Sequence, residues 1–188
     1  KEVGGDLYDF YMDGNHLYFL IGDVSGKGVP ASLFMAITRS LFRTLSQQVL
    51  SPAKIVTDMN NSISDNNESN MFVTLIVGIL DLETGKLKLC NAGHNPPILI
   101  RPDGQVSFLE FKTQIFVGVI EEFAYTEDET TLEKGSKLFL YTDGVTEAEN
   151  TDKELYGDEK LLKTLSDNST SDVRTTVNGI VDSIAEHV

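Results

Sequence analysis

The chain has 188 residues, of which 40% are hydrophobic, and this suits one globular domain with a sizeable core. The 29 Asp and Glu residues outnumber the 15 Lys and Arg residues, so the formal net charge is −14, which argues against binding nucleic acid or an anionic membrane surface. The single cysteine, Cys90, cannot form an internal disulfide, and no signal peptide or long apolar run is present, so we expect a cytoplasmic protein with no direct membrane binding.

The first third of the chain predicts a β-hairpin followed by two helices. Aromatic-rich, strand-like runs at residues 6–12 and 16–21 flank the turn Asp13-Gly14-Asn15. A helix is predicted over residues 29–48, with Pro30 in its first turn, and a second over 51–63, where Ser51 is a candidate cap. The apolar positions with helical spacing in the first helix are Leu33, Phe34, Ile37, Leu41 and Leu45.

The rest of the chain is rich in predicted strands and ends in two helices. After a polar loop at 64–70, strands are predicted at 72–80, 86–91, 98–101, 106–111, 116–119, 124–131 and 137–142. Helices are predicted at 158–165 and 171–185, the last with Val173, Val177, Ile180 and Ile184 on one apolar stripe. Strands and helices therefore come in runs rather than in alternation, which favours an α+β fold with antiparallel sheets.

Three aspartates follow or end apolar, strand-like runs: Asp6, Asp23 and Asp143. A buried carboxylate is costly unless something pairs with it, and each of these lies beside a glycine that permits close approach. Brought to one sheet edge, the three would form an oxygen-rich pocket for hard divalent cations. Taken singly, Asp23 could instead cap the helix that follows it, and Asp143 could belong to an ordinary turn.

The run from Phe19 to Gly28 also invites comparison with a phosphate-binding P-loop. Three residues separate Gly22 from Gly26, whereas the nucleotide loop needs four, and Gly28 stands where Ser or Thr would hold magnesium. A metal loop fits better, because the Asp23 carboxylate and the Val24 carbonyl are both hard oxygen donors.

Four ordered segments carry a family resemblance: GGDLYD at 4–9, GDVSGKG at 22–28, NAGHNP at 91–96 and YTDGVTE at 141–147. Together they resemble the metal-dependent serine/threonine protein phosphatases of the 2C type (the PPM family), in the bacterial branch of the sporulation phosphatase and the sigma-factor regulatory phosphatases. The resemblance implies a β-sandwich of two antiparallel sheets flanked by helices on both sides.

The resemblance also implies a site and a reaction. Two Mn2+ or Mg2+ ions would be held by Asp6, Asp23, the Val24 carbonyl and Asp143, and a hydroxide bridging them would attack the phosphorus of a phosphoserine or phosphothreonine. The expected substrate is a small phosphorylated regulatory protein of the anti-anti-sigma-factor type. Asn91 and His94 are candidates for substrate binding, although a histidine in such a loop more often satisfies backbone hydrogen bonds.

The chain departs from the family pattern in ways that leave alternatives open. We expect residues 1–188 to be a single phosphatase domain that lacks its first and last strands, cut from a longer protein with an upstream sensor or receiver domain. No aspartate motif follows Asp172, and Asp182 falls in a helical pattern, so a pseudophosphatase scaffold of the same fold, or a homodimer that exchanges segments, is the alternative. Ser25 stands where eukaryotic relatives carry a histidine. A calcium-binding role for residues 65–68 is poorly supported, because EF-hand spacing is absent.

Overall fold

The computed structural model describes residues 4–65, 67 and 70–188. Residues 1–3, 66, 68 and 69 lie outside the described residues, and with them part of the predicted polar loop and of the segment 65–68 considered for calcium binding. Contacts divide the chain into two compact units, Lys1–His94 with Phe111–Leu132, and Asn95–Glu110 with Glu133–Val188. The expectation of one phosphatase domain over residues 1–188 stays a prediction.

The described residues form eight strands and five helices. The strands are β1 (Asp6–Asp13), β2 (His16–Val24), β3 (Val73–Asp81), β4 (Lys86–Ala92), β5 (Ile98–Ile100), β6 (Val106–Phe108), β7 (Asp128–Thr131) and β8 (Lys137–Phe139). The helices are α1 (Val29–Leu45), α2 (Pro52–Ser64), α3 (Asp143–Thr146), α4 (Gly157–Asp167) and α5 (Val173–His187). Among the described residues, no helix combines the length and the apolarity that a membrane span requires.

The first unit is built on an antiparallel sheet with strand order β1-β2-β3-β4-β7, so β1 is an edge strand in the part of the chain that the structure describes. Alternate residues of its strands, such as Leu7, Leu20 and Val77, join buried residues of α1 and α2 in one hydrophobic core. Gly28, with φ of 80°, precedes α1, while the Ser51 side chain accepts a hydrogen bond from the Lys54 amide and caps α2. Both predicted helices are therefore present, although the first ends at Leu45 rather than at residue 48.

Ion pairs between a buried carboxylate and two partly exposed arginines join β1 to α1. The Asp9 side chain is only 5% exposed, and Arg43 donates to it through Nε at 2.6 Å and through Nη2 at 2.5 Å. Arg39 donates to the same carboxylate at 3.1 Å. Hydrogen bonds and charge from Arg43 lower the pKa of Asp9 from 3.8 to about 2 against the opposing effect of burial.

The second unit contains an antiparallel sheet with order β6-β5-β8 and the helices α3, α4 and α5. Its own core contains Ile98, Ile100, Leu161 and Ile180. The hydroxyl of Tyr156 lies 3.0 Å from that of Thr164 and donates to Ser183 at 2.9 Å, so the buried ring is satisfied at its polar end.

Several details of the sequence interpretation were wrong. The strands predicted at 106–111 and 124–131 cover only Val106–Phe108 and Asp128–Thr131. Residues 116–119 form no strand; only Val117 makes a bridge, to Val73, before Gly118 turns the chain with φ of 94°. The run at 137–142 ends as a strand at Phe139. On α5, Ile180 and Ile184 pack against the core of the second unit, but Val173 and Val177 are 65% and 45% exposed, so only the C-terminal half of the predicted apolar stripe is buried.

We predict that Asp9→Asn lowers the free energy of unfolding by about 2 kcal/mol at neutral pH, since one pKa unit corresponds to about 1.4 kcal/mol. Because folding lowers this pKa, the contribution is complete above the unfolded value near 4 and disappears as the pH falls towards 2. Urea denaturation of both proteins over this pH range measures the difference. Asp58→Asn, which breaks the exposed pair with Lys54, is the matched control and should change little. A difference between wild type and Asp9→Asn that stays constant from neutral pH to about pH 3 would contradict the assignment.

Candidate metal centre

Two of the three predicted aspartates lie directly opposite each other in the first unit. Asp6 is the first residue of β1 and pairs in register with Asp23 near the end of β2. Residues directly opposite on antiparallel strands have Cβ atoms about 5 Å apart and side chains on the same face. Asp6 is exposed and Asp23 is half-buried, so both carboxylates are placed where a cation from solvent could reach them.

Gly5 allows this end of the hairpin to close tightly. Its carbonyl accepts a hydrogen bond from the Val24 amide at 3.3 Å. A Cβ at Gly5 would lie 2.5 Å from the Val24 carbonyl oxygen and 2.9 Å from Asp23 Oδ1, distances that a side chain does not tolerate. The absence of a side chain at Gly5 therefore leaves room beside the Val24 carbonyl oxygen and Asp23 Oδ1, which the sequence predicts as metal ligands.

The donor set fits a hard divalent cation. The Asp6 and Asp23 carboxylates and the Val24 carbonyl are oxygen donors of the kind that Mg2+ and Mn2+ prefer. Within residues 4–65, 67 and 70–188, no group of three or more His, Cys, Asp or Glu side chains comes together as a metal site. The first unit thus supplies two carboxylates and the Val24 carbonyl.

Asp143 lies in the second unit, where it is half-buried and begins α3. Its carbonyl accepts hydrogen bonds from the Glu147 amide at 2.8 Å and from the Thr146 hydroxyl at 3.3 Å. Asp143 therefore begins a one-turn helix, which the sequence did not predict. This agrees with the alternative that Asp143 belongs to an ordinary turn. Its convergence with Asp6 and Asp23 stays a prediction.

The loop after Asp23 is held by Phe72, the residue just before β3. The Ser25 amide donates to the Phe72 carbonyl at 2.9 Å, and the Phe72 amide donates back to Ser25 Oγ at 2.9 Å. The Ser25 hydroxyl thus anchors the loop. Since it already accepts a backbone amide, its role in the structure is to hold the loop in place.

Asn91 and His94, the predicted substrate-binding residues, are both buried. The Asn91 amide donates to the His94 carbonyl at 3.0 Å, and its oxygen accepts from the His94 amide at 2.8 Å. His94 Nδ1 lies 3.0 Å from the hydroxyl of Thr74, whose strand position is opposite Asp23. These contacts favour the loop-structuring role for His94, while substrate binding by either residue stays a prediction.

Cys90 and Asp182 lie in the elements that the sequence predicted for them. Cys90 is fully buried in β4, and burial raises the pKa of its thiol to about 12, so it is a structural thiol rather than a nucleophile. Asp182 is exposed on α5.

Sequence reasoning missed Asp9 and its two arginines. The signal was present, because Asp9 falls between Leu7 and Tyr11 in the alternation that faces the core. A charged residue at such a position requires a partner. Arg39 and Arg43 are four residues apart on a helix and so lie on one face.

Comparison with known proteins identifies the family. The sequence pattern of Stage II sporulation protein E (SpoIIE) matches residues 13–188. The chain is 32% identical to Protein IcfG of Synechocystis sp., over 89% of the chain and 31% of IcfG. It is 28% identical to phosphoserine phosphatase RsbU of Bacillus subtilis, over 98% of the chain and 55% of RsbU. The chain thus spans less than two thirds of the length of either relative.

Solved structures share the fold. The SiaA-PP2C domain of Pseudomonas aeruginosa superposes with a TM-score of 0.86 at 20% identity, over 98% of this chain and 74% of that one. RsbX in complex with magnesium superposes with a TM-score of 0.71 at 18% identity, over 100% of this chain and 82% of that one. The predicted α+β class with antiparallel sheets is confirmed. Because the SpoIIE pattern covers nearly the whole chain, the protein belongs to the Stage II sporulation protein E family and has the fold of PP2C-type phosphatase domains.

Proposed function

We propose that this chain is a metal-dependent phosphoserine/phosphothreonine protein phosphatase domain. The observation that carries the proposal is the pairing of Asp6 with Asp23 beside Gly5 and the Val24 carbonyl, in a chain of the SpoIIE family. The likeness to RsbU over 98% of the chain supports the reaction class, since that relative is a phosphoserine phosphatase. RsbX, whose structure contains magnesium, supports the choice of a divalent cation.

Asp6, Asp23, the Val24 carbonyl and Asp143 would hold two Mn2+ or Mg2+ ions. Ions bound there would make water a competent nucleophile at neutral pH and would offset the charge on the phosphoryl oxygens. The chain itself contributes placement: the hairpin register sets the two carboxylates on one face, and Gly5 keeps the space beside them open. With Cys90 buried, the reaction proceeds without a cysteine nucleophile.

The proposed substrate is a small phosphorylated bacterial regulatory protein of the anti-anti-sigma-factor type. Family membership and the likeness to RsbU support this choice. An upstream sensor or receiver domain would regulate the activity, with α1 and α2 as the elements through which it acts. Helix α1 is suited to this role because it begins five residues after Val24, at Val29, and exposes Val29, Leu33 and Ile37 on one side.

The first test is hydrolysis of a phosphoserine peptide in the presence of Mn2+. We expect turnover that EDTA abolishes and that Asp23→Asn lowers on the order of 100-fold or more, because the metals stabilise the transition state by several kcal/mol. Asp58→Asn, which changes a partly exposed carboxylate on α2, is the matched control and should keep wild-type turnover. Turnover that survives both EDTA and Asp23→Asn would exclude a metal phosphatase. Complete inactivity of the wild-type chain would favour the pseudophosphatase alternative.

Gly5→Ala tests whether metal binding requires the close approach of the Gly5 backbone to Asp23 and Val24. The added Cβ would lie 2.5 Å from the Val24 carbonyl oxygen, so the strand end has to shift and the half-saturating Mn2+ concentration should rise roughly tenfold. The neighbouring Gly4→Ala is the matched control, because the nearest atom to its Cβ lies 4.0 Å away. Titration of activity with Mn2+ measures both variants. Equal Mn2+ dependence of the two would contradict the role assigned to Gly5.

His94→Gln distinguishes a structural from a catalytic histidine. Because the His94 loop is held by Asn91 and Thr74, we expect lower thermal stability and an unchanged shape of the pH–rate profile. A general acid has to be protonated, so its removal would instead abolish the alkaline limb of the profile. Loss of that limb in His94→Gln, with the fold intact by circular dichroism, would assign His94 to the reaction.

A further inference from the structure

Arg43 of α1 contacts three consecutive residues of the edge strand β1: Asp9, Phe10 and Tyr11. Besides its two bonds to the Asp9 carboxylate, Arg43 Nη2 donates to the Phe10 carbonyl at 2.9 Å, and its guanidinium lies 4.9 Å from the centre of the Tyr11 ring. The Phe10 amide donates to Asp9 Oδ1 at 2.9 Å. The contact therefore fixes the backbone of β1 and not only one side chain.

The edge strand depends on this contact more than a central strand would. Among the described residues, the one strand hydrogen-bonded to β1 is β2, and Asp6 is the first residue of β1. Strand ends at a sheet edge are among the first parts of a fold to open locally. Asp9 lies three residues from Asp6, so a bond that fixes residues 9–11 also restrains the end that bears the candidate ligand.

The partner of this contact is the helix that follows the second candidate ligand. Asp23 and Val24 end β2, residues 25–28 form the loop, and α1 begins at Val29. Pairing of β1 with β2, and the bond from β1 back to α1, link β1, β2 and α1 in a closed ring of contacts, and Asp6 and Asp23 lie on the two strands of this ring. A ring closed in this way holds both carboxylates relative to each other and to the loop.

We infer that Asp9 is a positioning residue for the candidate metal centre, which it serves by tying β1, and with it Asp6, to α1 through Arg43 and Arg39. The inference rests on the proposed function. It predicts a loss of metal affinity when Asp9 is changed, with the chemical step itself preserved once metal is bound. Arg39 and Arg43 are 59% and 43% exposed in their side chains, so the arginines can be substituted without opening the core.

The test compares wild type with Asp9→Asn and Arg43→Gln at a temperature where all three are folded. Isothermal titration calorimetry with MnCl2 measures affinity directly, and hydrogen exchange of the amides of residues 6–11 measures the order of β1. We expect both variants to bind Mn2+ about tenfold more weakly and to exchange faster in β1. Their kcat at saturating Mn2+ should stay within about twofold of wild type.

Two controls separate positioning from general stability. Asp58→Asn removes a carboxylate from the Lys54 ion pair on α2, and Ile180→Val weakens the core of the second unit. Neither should change Mn2+ affinity or exchange in β1. Arg43→Lys keeps the charge but loses the bidentate contact, and should rescue only part of the affinity.

The possible results distinguish failure of the inference about Asp9 from failure of the proposed function. Wild-type Mn2+ affinity in Asp9→Asn, in spite of its lower stability, would overturn the inference and leave Asp9 as a structural residue. If the wild-type chain binds Mn2+ without hydrolysing the peptide, the proposed function fails, and the calorimetry by itself decides the role of Asp9. If the wild-type chain binds no Mn2+, both proposals fail.

Discussion

The register of the β1–β2 hairpin is the constraint on which the candidate site depends. A slip of one residue would move Asp6 to the other face of the sheet, away from Asp23. The register is set at one end by the turn at Gly14 and Asn15 and along the strand by the inward-facing Leu7, Asp9 and Tyr11. The same alternation that buries these residues therefore places Asp6 opposite Asp23.

The pairing of Asp6 with Asp23 costs stability, because like charges directly opposite each other on neighbouring strands repel. Such a conflict between local energetics and the fold is typical of functional sites. A bound cation would offset the repulsion, and in a chain with a net charge of −14 it would also supply the positive charge that a phosphate ligand requires.

The Asp9 contact shows a second use of charge in the same hairpin. Two arginines satisfy one buried carboxylate, which is the condition under which a buried charge is tolerated at all. Asp6 and Asp9 lie three residues apart and thus on opposite faces of β1. One face presents a carboxylate for a ligand, while the other uses a carboxylate to hold the strand in place.

The sequence by itself determined the elements whose signals are local. The hairpin around Gly14, the helices that begin near Pro30 and Pro52, and the antiparallel class follow from turn residues, caps and periodicity, and the motifs at 4–9 and 22–28 indicated the family. Only the tertiary structure decided the pairing of Asp6 with Asp23, the partners of Asp9, the reciprocal bonds of Asn91 with His94, and which side of α5 is buried. These features join residues whose contacts depend on how separate elements pack. A local pattern shows that Asp9 needs a partner or that α5 has an apolar stripe, but the packed fold determines which partner is within reach and which stripe is covered.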